Sequence, residues 1–83
     1  MSKSEKLLEK FLETPTRNDL TFQDLKIVMN KFGFIMQERT GSRVAFVREG
    51  EQPIMLHKPH PGNELKQYIV KQLQERLRSL SEQ

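Results

Sequence analysis

Apolar residues recur along this chain with two different periods, and the change of period divides it into helices and sheet. Leu7, Leu8, Phe11 and Leu12 fall on one face at helical spacing, which predicts a short helix over residues 4–12. Residues 14–19 form a polar break that contains Pro15. A second helix is expected to start at Thr21, where Thr21 and Asp24 have capping-box spacing. Phe22, Leu25, Val28, Met29 and Phe32 form its apolar stripe, and Gly33 suits the residue just past its end. From Phe34 onward the period is two. Residues 34–38, 43–48 and 53–57 read as strands, joined by a turn over 39–42 and a hairpin loop over 49–52 that contains Gly50. Residues 58–63 then lead into a long helix from about residue 64 to 80. Its expected buried face is Leu65, Tyr68, Ile69, Leu73, Leu77 and Leu80, with Asn63 as cap and Glu64 suited to its dipole.

The order is α-α-β-β-β-α, an α+β fold with a three-stranded antiparallel sheet and helices on one face. Phe22, Leu25, Met29, Phe32, Val44, Phe46, Ile54, Leu56, Leu65, Ile69 and Leu73 are expected to share one core. Val44 and Phe46 alternate on one side of the second strand, Ile54 and Leu56 on one side of the third. If Val44 lies across from Leu56 and Phe46 from Ile54, the same register sets Arg43 opposite His57. Arg43, Ala45, Val47, Met55 and His57 then lie on a face the helices leave open.

Composition narrows the class. A chain of 83 residues is one domain, here divided into an N-terminal helical extension over 1–18 and a core over 21–80. There is no cysteine, so neither a disulfide nor a thiolate metal site is available, as suits the cytoplasm. The first residues lead into a charged helix, so no signal peptide is expected, and no apolar run approaches a membrane span. The net charge of +3 permits a polyanionic partner without demanding one. Its distribution says more. Between Lys31 and Lys71 the basic residues outnumber Glu38, Glu49, Glu51 and Glu64, which concentrates positive charge in the sheet and the loop after it.

Three motifs carry a family resemblance. They are Lys31-Phe32-Gly33-Phe34, then Gly41-Ser42 entering a strand that reaches Phe46, and His60-Pro61-Gly62-Asn63-Glu64-Leu65-Lys66 opening the last helix. In this order and spacing the chain resembles the HicA-type toxins over residues 21–74. That resemblance implies a double-stranded-RNA-binding-domain-like fold and a type II toxin–antitoxin system. It also implies cleavage of messenger RNA without metal or other cofactor, and neutralisation by a HicB-like antitoxin. The family's catalytic histidine follows the Gly-Ser pair; here that position is Arg43.

Metal-free RNA cleavage needs a base for the 2′-hydroxyl, a cation for the phosphorane and an acid for the 5′-oxygen. Arginine supplies the cation but not the base, because it stays protonated. Arg43 is therefore a candidate phosphate clamp, His57 the candidate proton-transfer group and His60 the next. Ser42, Lys58, Lys66 and Arg39 are candidate RNA contacts, with Lys58 and Lys66 flanking a helix start whose free amides favour phosphate. Each has a plainer reading. Arg43 is a solvated strand residue paired with Glu38 or a hairpin glutamate, His57 ends a strand, and His60 with its two prolines shapes a helix entry. Tyr68 belongs to the core edge, with base stacking as its alternative. Two histidines three residues apart, without cysteine, do not have zinc-site spacing. The rival to a ribonuclease is a non-catalytic RNA-binding or protein-interaction module of the same fold.

Overall fold

A computed structural model describes residues 2–82. Helices α1 (Lys3–Phe11) and α2 (Phe22–Lys31) precede strands β1 (Ile35–Glu38), β2 (Arg43–Val47) and β3 (Ile54–His57), and helix α3 (Gln67–Ser81) ends the fold. The sheet is antiparallel in the order β1-β2-β3. This is the α+β order expected from the periodicity, and it is consistent with the double-stranded-RNA-binding-domain-like fold that the family resemblance implies.

Local chemistry explains the boundaries. Thr21 and Asp24 form a complete capping box: the Asp24 amide donates to Thr21 Oγ1 at 3.1 Å and the Thr21 amide to Asp24 Oδ2 at 3.0 Å. Gly33 ends α2 with φ of +83°, a left-handed conformation that a side chain at Cβ would strain.

The register is the expected one: Arg43 pairs with His57, Val44 with Leu56, Ala45 with Met55 and Phe46 with Ile54. Val44 and Phe46 are buried with Phe22, Leu25, Val28, Met29, Leu65, Val70 and Leu73 in one cluster, against which Phe32, Ile54, Leu56 and Ile69 pack while half-buried. Leu7 and Phe11 of α1 belong to the same cluster, so the N-terminal helix completes the core. The buried Gln74 of α3 locks it in place, its Nε2 donating to the carbonyls of Phe11 at 2.8 Å and Glu13 at 3.1 Å.

Three expectations need correction. Helix α3 starts at Gln67, not residue 64, and its cap position is Lys66 without a side-chain cap bond, so Asn63 does not cap it. Residues 63–65 are instead engaged with 20–22: the Phe22 amide donates to the Asn63 carbonyl and the Leu65 amide to the Leu20 carbonyl, both at 2.8 Å, around a Thr21–Glu64 bridge. Backbone held in that extended pairing cannot join the helix. Tyr68 is accordingly exposed, and Val70 takes the buried place in the stripe with Leu73, Leu77 and Leu80. Ala45, expected on the open face as an exposed residue, has no exposure at all. It lies on the central strand, flanked by Gln37 and Met55, both with side chains far longer than its single methyl group.

Candidate functional site

The turn between β1 and β2 builds the first part of the site. The Arg39 amide donates to the Arg43 carbonyl at 2.8 Å, which extends the ladder one step beyond Glu38 and sets Arg39 across from Arg43. Thr40, Gly41 and Ser42 close the loop, and Gly41 sits at φ of +70° where a larger residue would be strained. Because Arg43 is also opposite His57, three residues form one row across the sheet: Arg39, Arg43 and His57. All three are exposed. Alternation places the row on the open face, since Val44 and Leu56 next to it point into the core.

Ser42 supports the row. Its hydroxyl lies 3.3 Å from His57 Nδ1, and its carbonyl accepts from the Lys58 amide at 2.8 Å. A Nδ1–H donating to Ser42 leaves Nε2 with a free lone pair, the form a general base needs. When the ring is protonated both nitrogens donate, and Nε2–H is then available to an oxyanion.

Lys58 is placed differently from its neighbour. It follows His57 on the alternate side of the strand and forms an ion pair with Glu38, the residue opposite Val44 on β1. Hydrogen bonding and charge from Lys58 hold the Glu38 carboxyl below its ordinary range. The sequence offers Glu38 as a partner for Arg43; in the fold it is Lys58 that takes it. Lys58 is thus half-buried and partnered, whereas Arg43 has no salt-bridge partner among the described residues.

His60 and Lys66 stand apart from the row. Both are exposed and line, with His57 and Lys58, one end of a groove between the free edge of β3 and helix α3. His57 is therefore the residue common to the row on the open face and to the groove at the edge. Tyr68, on the first turn of α3, lines the same groove. Spacing alone does not reveal its exposure, because the residues 63–65 that delay the helix pair with a distant segment. Among the described residues no cluster of three or more histidine, aspartate or glutamate side chains is arranged to hold a metal ion. Among them, too, no helix is long and apolar enough to cross a membrane.

Comparison with known proteins agrees with this architecture. The family model described as the HicA toxin of bacterial toxin-antitoxin matches residues 22–80, from the start of α2 almost to the end of α3. No curated protein and no solved structure matched the chain. The matched span covers most of the sequence, and the chain belongs to the HicA toxin family.

Proposed function

We propose that this HicA-family chain is a metal-independent endoribonuclease acting on messenger RNA in the cytoplasm, neutralised by a HicB-like antitoxin. The observation that carries the proposal is the Arg39–Arg43–His57 row with Ser42 on the His57 ring. Two guanidinium groups and an imidazole on one exposed row suit a phosphodiester, whose oxygens accept bidentate arginine bonds. In this reading His57 Nε2 removes the 2′-hydroxyl proton as the O2′–P bond forms. Arg43 and Arg39 stabilise the charge that develops on the non-bridging oxygens. The P–O5′ bond then breaks, the 5′-oxygen takes a proton from His60 or water, and a 2′,3′-cyclic phosphate remains.

A second reading rests on Arg43 itself. Arginine cannot exchange a proton, so a chain with arginine after the Gly-Ser pair suits RNA binding without cleavage if His57 does not take over that step. One experiment separates the two. Purified protein incubated with messenger RNA in a chelating buffer should yield fragments ending in 2′,3′-cyclic phosphate. Bound but intact RNA selects the binding module instead.

A further inference from the structure

The groove beside β3 has features that the phosphate row does not use. It has a volume of about 1040 Å³, ample for a nucleoside. Tyr68 stands on its helix side with 57% of its surface exposed. Met55, 61% exposed and turned by strand alternation to the open face, belongs to its strand wall. Among the described residues these are two of the three large apolar side chains that the fold leaves exposed, and they line one cleft. Gln72 and Glu75 follow Tyr68 along the same wall at helical spacing and supply hydrogen-bonding groups of both kinds. His57, His60 and Lys66 close the end nearest the phosphate row.

We propose that this groove is a subsite for one unpaired nucleobase of the RNA whose phosphate the Arg39–Arg43–His57 row holds, with Tyr68 as its stacking platform. The inference rests on the RNA reading above and adds the class of substrate: single-stranded RNA. An aromatic face beside a cationic track is the arrangement that holds unpaired bases, because every base offers a flat surface to stack and every linkage a phosphate to neutralise. The edge of β3 gives the second wall of the cleft, and Gln72 and Glu75 offer hydrogen-bonding groups to the polar edge of a base within it. A base paired in a duplex cannot enter a slot between strand and helix. The groove therefore selects against duplex RNA, despite a fold of the duplex-binding kind. A polypeptide strand added to the β3 edge is the competing occupant. Arg43 of the adjoining row, unpaired among the described residues, favours the polyanion, whereas in the groove itself Lys66 is offset by Glu64 and Lys58 is matched by Glu38.

Tyr68 is the only tyrosine, and the chain has no tryptophan, so intrinsic fluorescence reports on this groove alone. The test titrates the whole protein with a 2′-O-methylated oligouridylate, which resists 2′-hydroxyl attack, and separately with the same strand annealed to oligoadenylate. Fluorescence lifetime is read, since it is insensitive to absorption by the nucleic acid. The lifetime is expected to shorten with the single strand and not with the duplex. Tyr68→Phe should keep the single-strand affinity, and Tyr68→Leu should lower it roughly ten-fold or more. Unchanged melting temperatures would verify that these exposed-site variants fold.

Salt-sensitive RNA binding with an unchanged Tyr68 lifetime and a neutral Tyr68→Leu variant would overturn the subsite while leaving the RNA reading in place. Equal losses in Tyr68→Phe and Tyr68→Leu would overturn stacking. A lifetime that responds to a purified HicB-like antitoxin and not to RNA would overturn it in favour of a protein-docking edge. No binding to either RNA would overturn the subsite and the RNA reading together.

Discussion

Arg43 and His57 form a non-hydrogen-bonded pair of the β2–β3 ladder. The step beside them carries the bond from the Lys58 amide to the Ser42 carbonyl, and the two kinds of pair alternate along antiparallel strands. Side chains of a non-hydrogen-bonded pair are the closer kind, with Cβ atoms about 4.5–5.5 Å apart. Guanidinium and imidazole are thus brought to one spot by backbone geometry, and both residues are exposed there.

If His57 performs the proton transfer, His57→Ala should abolish cleavage while RNA binding persists through the arginines. Arg43→Ala should lower the cleavage rate roughly 10²–10³-fold, as expected for loss of a group that stabilises developing oxyanion charge. Arg43→His tests the second reading: cleavage that appears only in this variant assigns the parent chain to RNA binding alone. Gel analysis of a labelled transcript in a chelating buffer reads all three.

The Glu38–Lys58 pair makes the cationic residues unequal. Arg43→Ala and Lys66→Ala should each flatten the dependence of log affinity on log salt, by about 0.7 for every single-strand phosphate that is no longer neutralised. Lys58→Ala should do less, because its charge is already matched. Glu38→Gln should do the reverse, raising RNA affinity by releasing Lys58. Filter binding across a salt series checks the order of these effects.

The same pair has a pH signature. Lys58 holds the Glu38 carboxyl below its ordinary range, so its stabilisation is present above the unfolded value of about 4.3 and is lost as pH falls through the lowered folded value. Carboxyl titration followed by NMR should place Glu38 below ordinary glutamates, and Lys58→Ala should return it to them. High salt should weaken the shift, since both groups are open to solvent.

Much of this arrangement is legible in the chain. Alternation in Val44-Ala45-Phe46 and in Ile54-Met55-Leu56 assigns faces, and matching the larger apolar pairs fixes a register that sets Arg43 opposite His57. Faces do not reveal pairing between distant segments. The engagement of residues 20–22 with 63–65 delays α3, and with it turns Tyr68 outward, yet no periodic signal marks it. Glu38 and Lys58 meet because both point to the helix side at the same end of the sheet. Their pairing follows once the register is known, although each residue alone reads as a solvated charge.

The N-terminal helix offers the clearest stability test. Phe11 is fully buried in the common cluster, and Gln74 bonds the carbonyls at the end of α1 to α3. Phe11→Ala should destabilise the protein by roughly 3–5 kcal/mol, through lost burial and the cavity left behind. Gln74→Leu should cost about 1–3 kcal/mol, because the carbonyls it serves lose their side-chain donor while the apolar volume is kept. Both changes lie away from the Arg39–Arg43–His57 row, so RNA affinity measured well below the melting temperature should be unaffected. If α1 were a dispensable appendage, neither substitution would move the midpoint of urea unfolding. A shift in midpoint without a change in slope would show that it is part of the cooperative core.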